Sequence, residues 1–500
     1  MTSRHHIPNS DIQRTTLVHE VNMDRWIMGL LLIITIIRSI AILASPLELG
    51  VDEAQYWAWS QTPDFGYFTK PPLIAWIIGV SHALFGHEVW AVRLPAPWLH
   101  FLTAIVLWRT ASWIAGSVAG RWAVVLWIVL PVISVGSFVI STDTPLLLAL
   151  SIALLMIIGV LQNRLDPVRG MFICGLSVGI GFLAKYAAVY FLAGIVLWVV
   201  WNQITRLSNI ITVRHLLLFG LGVLIAASPN IIWNLTNDFT TVRHLGDNAN
   251  IAKQSYDFAK IGGFLLGQLG VAGPVIFILM LGILRPPFGS STKRLMICLS
   301  LPILGLMTIQ AFISDANANW AVAIYPALTV WLACWIAQTN SWRWGLLATG
   351  INVAIAVIII SASMAGSLGV FTPASDPLRR MRGWEALADD LKGALDRHDA
   401  RLIVADRRAT AALMGWHFYN SDVMITVYDS DGIPSNHYER NHAFGLVTTT
   451  ARNLIAIDGQ SDAPALPQVN WQASPDISEH AISDRRSRKL FLFAGIQTPE

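Results

Sequence analysis

Charge is scarce in this sequence. Asp, Glu, Lys and Arg make up 13 % of its 500 residues, where a soluble globular chain carries about a quarter. A water-facing surface over the whole chain is therefore excluded. The formal net charge of +3 is too small to suggest nucleic acid, and no basic run concentrates it. Cysteine is scarcer still: Cys174, Cys298 and Cys334 each sit in an apolar stretch. None lies in the polar C-terminal part, so a disulfide framework there is excluded and the redox compartment is not legible. No internal repeat is visible, which disfavours transporters built from inverted halves. What fills the chain is apolar: 54 % of residues, with a mean hydropathy of +0.55. Surface of that kind needs a bilayer to cover it.

A spanning helix takes about 20 mostly apolar residues. Runs of this kind lie at 27–44, 91–110, 119–139, 146–162, 171–184, 187–202, 216–233, 262–284, 295–313, 321–337 and 344–367. They predict a mostly α, polytopic membrane bundle of about eleven helices, although 171–184 and 187–202 also read as one long kinked segment. The polar residues up to Arg25 and the apolar run ending at Ala44 and Ser45 imitate a signal peptide. That run holds Arg38 and many spans follow it, so a retained first helix is expected after a cytoplasmic segment 1–26. With the N-terminus inside, alternation makes five loops cytoplasmic: Arg109 to Arg121, Arg164 and Arg169, Arg206 and Arg214, Arg285 with Lys293 and Arg294, and Arg343. All are basic, whereas the opposite loops offset their Lys and Arg with Asp and Glu, which is the positive-inside asymmetry. An odd number of spans leaves the C-terminus outside.

The membrane region is expected over 27–369, with its first outer loop at 45–90, and a small α/β domain over 370–500. Helical spacing at 383–396 and 408–418 and strand-like runs at 401–405, 423–428, 445–449, 454–457 and 490–493 support that domain. The polar stretch 459–486 reads as a loop.

The first outer loop is too aromatic for a solvated segment. Tyr56, Trp57, Trp59, Tyr67, Phe68 and Trp76 suit a headgroup region, and 73–85 is apolar but too short to span, which fits a helix lying at the interface. The loop carries Asp52, Glu53 and Lys70, while Asp143 and Lys185 fall at outer helix ends. Ionisable groups there point to function, and their one-sided placement favours a surface enzyme over a transporter. Each also has a structural reading. Asp52 and Glu53 suit the first turn of a helix; Asp143 suits a helix dipole, with Thr144 as cap and Pro145 opening the helix. Lys70 suits snorkelling to lipid phosphate, and Lys185 suits a simple break between two spans. Arg38 fits either snorkelling or pairing with an acid.

The string Asp52-Glu53-Ala54-x-Tyr56-Trp57, followed by Gly66-Tyr67-Phe68-x-Lys70-Pro71-Pro72-Leu73-Ile74-Ala75-Trp76, resembles the first periplasmic loop of bacterial polyprenyl-phosphate-sugar-dependent glycosyltransferases of the GT-C fold. That superfamily includes protein O-mannosyltransferases, the aminoarabinose transferase of lipid A and galacturonosyltransferases of lipopolysaccharide core. Arg93-Leu94-Pro95, Thr142-Asp143-Thr144-Pro145-Leu146, Gly181-Phe182-Leu183-Ala184-Lys185-Tyr186, the segment from Ser228 to Asn234, Asn319-Trp320 and Tyr325-Pro326 match in order. The residue before Lys-Pro-Pro is Thr69, where the aminoarabinose branch has an acid associated with metal contact. The resemblance thus leaves a divalent metal ion open and points to no other cofactor.

The resemblance implies a multi-pass protein of the bacterial inner membrane, with active site and C-terminal domain in the periplasm. The donor would be a polyprenyl-phosphate-linked sugar and the acceptor a hydroxyl on lipid A, lipopolysaccharide core, another envelope glycan or a protein. Asp52, Asp143 and Glu53 are the expected catalytic acids, with Asp52 as base. Lys70, Lys185 and Arg93 are expected to hold donor phosphate, and Tyr56, Tyr67, Asn319 and Trp320 to bind substrate. Inversion is expected. A transporter or flippase of a lipid-linked or polar solute, or a membrane scaffold, are the other readings; both imply no sugar transfer by the purified chain.

Overall fold

The computed structural model describes residues 9–207, 210–241, 256–285, 290–368, 376–428, 434–444, 453–466, 469–472, 474–483 and 486–497. Among them, nine helical segments are long and apolar enough to cross a membrane, and a bent pair, Phe258–Ala272 with Pro274–Leu284, makes a tenth. One of the nine, Val89–Val129, is two spans rather than one. Its helicity fails at Ala115 and Gly116, and Gly116 has φ +82°, a conformation glycine adopts without strain. Beyond the break the chain returns along itself: a β-carbon on Gly120 would fall 2.9 Å from the Trp108 carbonyl oxygen. Counting this segment twice recovers the eleven apolar runs. The ambiguous pair also resolves, because Lys185 is extended (φ −161°, ψ 137°) between the separate spans Pro167–Ala184 and Tyr186–Ile204.

Several spans are apolar all round yet packed on one side only. On Val21–Leu43, Leu31 is buried while Ile33, Ile36, Ile37 and Ile40 are exposed, the distribution of a helix whose outer face meets lipid tails. Arg38 neither snorkels nor meets an acid among the described residues. It donates to the Ile128 carbonyl at 2.6 Å and to the Ser137 and Ser134 hydroxyls at 3.1 and 3.3 Å. Ile128 is in the last turn before the helix breaks at Leu130, so the arginine caps a carbonyl at the end of that helix.

The C-terminal region holds one six-stranded sheet: β1 (Leu402–Ala405), β2 (Met424–Val427), β3 (Asn453–Asp458), β4 (Val469–Trp471), β5 (Asp476–Ser483) and β6 (Arg486–Gln497), in the order β2-β1-β3-β6-β4 with β5 also on β6. β1 runs parallel to β2 and β3, in the register Leu402 with Met424 and Leu454, while β6 is antiparallel to β3, β4 and β5. Helices Trp384–Arg397 and Arg408–His417 pack on it. The stretch 459–486 is therefore not a plain loop but contains β4 and β5. β4 is only three residues, too short to show a period, and β5 is mostly polar; pairing with β6 supplies the order that hydrophobic period does not. The run 445–449 lies outside the described residues.

This region shares a hydrophobic core with the first outer loop. Trp57, Trp59, Ile74 and Ile78 belong to the same buried cluster as Trp384, Leu391, Leu413 and Trp416. Four of the six loop aromatics are consequently not headgroup anchors: Tyr56, Trp57, Trp59 and Tyr67 are buried in protein, while Phe68 and Trp76 are only partly covered. Helix Leu73–Phe85 does keep two characters, burying Ile74, Ala75, Ile78 and Ser81 while exposing Val80, Leu84 and Phe85. That is the arrangement of a helix lying in an interface.

Candidate active site

Helix Val51–Gln61 opens the first outer loop, and its first turn separates two adjacent acids. Glu53 turns inward. Its carboxylate accepts from Gly50 N at 2.9 Å and Ile140 N at 3.1 Å, and from Arg93 Nε and Nη2 at 3.0 and 2.9 Å. Arg93 also donates to the carbonyls of Leu47 at 2.9 Å and Glu48 at 2.7 Å. The side chains are 1 % and 3 % exposed. The carboxylate has no lone pair left for a hydroxyl, and the guanidinium, buried with it, keeps one N–H of five. Glu53 and Arg93 thus clamp the two ends of the loop together, which corrects the expectation that they act on substrate.

Asp52 turns outward and does not cap the helix. It is 65 % exposed, and its Oδ1 lies 3.1 Å from Nη1 of Arg408, the first residue of helix Arg408–His417 in the C-terminal domain. Opposite it, Asp143 begins the span Asp143–Leu161, with Thr142 rather than Thr144 at the cap position. Asp143 Oδ1 accepts from Lys185 Nζ at 2.6 Å and Oδ2 faces Asn319 Nδ2 at 3.4 Å. Lys185, at the extended break between spans, is both the interruption and a charged group at the site.

The Lys70 ammonium has no hydrogen-bond or ion-pair partner among the described residues. It is half-buried and feels Lys185, Asp52, Asp143 and Arg408. Burial first, then the like charge of Lys185, lowers its pKa below the ordinary lysine value. Tyr56 stands among the same charges; burial, then Asp52 and Asp143, raises its pKa, so the phenol stays protonated. Its ring is buried and its hydroxyl has no partner among the described residues. Tyr67 is different: it stacks on Trp59 at 4.7 Å and donates to the Trp59 carbonyl at 2.9 Å. It builds the loop rather than facing substrate, which again differs from expectation. Asn319 joins the site through Asp143, while Trp320 packs against the helix-bundle core.

The segment from Ser228 to Asn234 finds its role here. Asn230 Nδ2 donates to the Phe65 carbonyl at 2.8 Å and Trp233 Nε1 to Asp64 Oδ2 at 2.7 Å, pinning the turn that precedes Lys70. The approach requires glycine at 66, since a β-carbon there would fall 2.4 Å from the Trp233 ring. From above, His87 stacks on Trp416 at 3.7 Å and bonds its carbonyl at 3.0 Å, and Glu48 accepts from Gly383 N and Trp384 N at 3.0 and 2.7 Å. The loop is thus held between the bundle and the C-terminal domain. Sequence reasoning missed Arg408; its signal was the tandem Arg407-Arg408 between a strand-like and a helix-like run. Among the described residues no three His, Cys, Asp or Glu side chains gather as metal ligands, and position 69 is Thr.

A family model described as dolichyl-phosphate-mannose-protein mannosyltransferase matches residues 69–233, the stretch holding Lys70, Asp143, Lys185 and the Asn230–Trp233 clamp. The chain is 33 % identical over 455 residues to the lipid A galacturonosyltransferase RgtD of Rhizobium johnstonii, covering 89 % of this chain and 94 % of that protein. It is 29 % identical over 204 residues to the undecaprenyl phosphate-alpha-4-amino-4-deoxy-L-arabinose arabinosyl transferase of Erwinia tasmaniensis, 37 % of this chain and 35 % of that one. ArnT from Cupriavidus metallidurans, solved with undecaprenyl phosphate, has the same fold, with a TM-score of 0.64 at 15 % identity over 93 % of this chain and 97 % of that chain. The mycobacterial arabinofuranosyltransferase AftD follows at a TM-score of 0.51 and 13 % identity, over 94 % of this chain and 40 % of that chain. Fold and relatives define the class: a multi-pass membrane glycosyltransferase of the GT-C fold, not a transporter. The chain belongs to the polyprenyl-phosphate-sugar-dependent family of these enzymes, together with the Rhizobium johnstonii relative.

Proposed function

We propose that this chain transfers a uronic-acid sugar, galacturonate, from a polyprenyl phosphate to a hydroxyl of lipid A at the periplasmic face of the bacterial inner membrane. The sugar and acceptor come from the relative at 33 % identity over nearly the whole chain. The face comes from the basic loops, which put the first outer loop and the C-terminal domain on the side away from the cytoplasm. The observation that carries the chemistry is Lys70, a half-buried ammonium with no partner among the described residues, beside the Lys185–Asp143 pair and across from Asp52.

In this reading the donor phosphate sits on Lys70. Pro71 and Pro72 supply no N–H at the start of helix Leu73–Phe85, so the lysine carries more of the phosphate than a helix terminus would elsewhere. The acceptor oxygen attacks the anomeric carbon, its proton passes to Asp52, and the bond to the phosphate oxygen breaks, releasing polyprenyl phosphate. Lys70 stabilises the negative charge that grows on that leaving group. Asp143, oriented by Lys185 and Asn319, holds the acceptor or sugar hydroxyl. A single displacement inverts the anomeric centre.

The test is transfer by purified protein in lipid nanodiscs, with undecaprenyl-phosphate galacturonate and lipid A, read by mass spectrometry. Addition of one galacturonosyl mass is expected; lipid A left unchanged with this donor but gaining a hexose or aminoarabinose mass when that donor replaces it would sink the sugar assignment. Orientation has its own check: a periplasm-active reporter fused after Gly170 or Gly345 should be silent, and one after Ser375 active.

A further inference from the structure

Among the described residues Arg408 is the one guanidinium that the C-terminal domain brings against Asp52, and it is only half used. Its Nη1 lies 2.7 Å from Gln55 Oε1 and 3.1 Å from Asp52 Oδ1, while Nε and Nη2 have no partner among the described residues. The side chain stays 37 % exposed, yet its charge acts on both Lys70 and Tyr56. It therefore borders the same cleft as Lys70 and Tyr56.

Its place in the fold is not one that stability selects. Arg408 opens a helix, where the macrodipole is positive and cations are disfavoured. Neighbouring Arg407 is answered by Asp406 at 3.0 Å, but Arg408 has only an Asp52 that is 65 % exposed, and pairs so exposed contribute little. It follows β1 directly, and β1 has parallel neighbours on both sides. The carboxyl end of such a strand, where successive connections part to opposite sides, is where open α/β sheets take ligands.

The donors left open in the cleft point the same way. Lys70, Lys185 and Arg408 face Asp52 and Asp143. A polyprenyl phosphodiester balances the single surplus cation, so the second anion of a uronosyl donor, the sugar carboxylate, has to be held by N–H groups still open and not by surplus charge. Lys185 is committed to Asp143 and Lys70 is taken by phosphate, which leaves the open edge of the Arg408 fork. We propose that Arg408 reads the carboxylate of a uronic-acid sugar on the donor, so that the C-terminal domain supplies the specificity-determining residue of the site. This rests on the uronosyl reading given above.

The experiment compares two donors on the full-length chain, polyprenyl-phosphate galacturonate and polyprenyl-phosphate galactose, with one acceptor. For Arg408→Ala the ratio of kcat/KM values, uronosyl over neutral, should fall about ten- to a hundredfold, the scale of one charged hydrogen bond lost. Arg408→Lys keeps the charge without the fork and should give an intermediate ratio. Arg408→Gln, which keeps the stem and a polar end but neither the charge nor the fork, serves if the alanine variant loses its fold. An equal fall for both donors would return Arg408 to positioning Asp52 and overturn the proposal. A wild-type chain that turns over only the neutral donor would overturn the uronosyl reading itself, a result visible before any variant is made.

Discussion

Asp52 and Glu53 are adjacent, yet one is 65 % exposed and the other 1 %. Glu53 belongs to a sealed region beneath the loop, where Arg93 and two backbone N–H groups saturate it. Asp52 belongs to an open cleft where three cations face two acids and one ammonium is unmatched. The sealed pair fixes the geometry of the loop; the open one keeps charge in reserve for a ligand. The same residue types serve both purposes, and only solvent access and hydrogen-bond saturation tell them apart.

That contrast breaks most visibly at Asp52. Asp52→Asn keeps size but cannot accept a proton, so transfer should fall about 10²–10⁴-fold with an unchanged melting temperature in detergent. Asp143→Asn should resemble it, and the double variant should be little worse than the worse single one if the acids act as a unit. Normal transfer by well-folded Asp52→Asn protein would remove Asp52 from catalysis.

The sealed pair should respond in the opposite currency. Glu53→Gln leaves the Arg93 charge buried without its partner, a loss of about 3–5 kcal/mol of stability. The melting temperature and yield should drop, and protein that survives should retain most of its turnover. A stable but inactive Glu53→Gln enzyme would move Glu53 back into the chemistry.

Next in size is Lys70. Lys70→Ala should weaken use of the phosphate donor about ten- to a hundredfold, the scale of a charged hydrogen bond worth about 1.5–3 kcal/mol. Its lowered pKa gives the effect a pH signature. As pH rises through the folded-state value, still below the ordinary lysine value of about 10.4, the ammonium is lost and donor kcat/KM declines. Over that interval the unfolded chain holds the extra proton, so stability of the free protein rises with pH. Lys70→Arg should abolish this alkaline limb, because a guanidinium stays charged. An identical limb in the arginine variant would place the titrating group elsewhere.

The smallest expected change is at Gly66. Gly66→Ala puts a methyl group against Trp233 and should cost about 1–3 kcal/mol of overpacking, lifting the turn before Lys70 and lowering transfer several-fold. Trp233→Phe, which removes the bond to Asp64 without adding bulk, should be milder.

Sequence alone determined the membrane bundle, because apolar runs of spanning length leave no other solvent for those side chains. Even the fold-back at Gly116 was legible as two runs, 91–110 and 119–139, on either side of it. Strands β1, β2, β3 and β6 were legible from apolar alternation or runs. β4 and β5 were not, because β4 is too short and β5 too polar to show a period, and their order comes from pairing with β6. The charged residues of the loop were visible as a set, but not which of them is sealed. That depends on Arg93 reaching back to Glu53 across 40 positions, on Lys185 meeting Asp143 across 42, and on Arg408 meeting Asp52 from the far end of the chain. Hydropathy reads a residue with its near neighbours, whereas a carboxylate's role is set by which donors fill its lone pairs. Those donors come from elements that only the folded chain brings together.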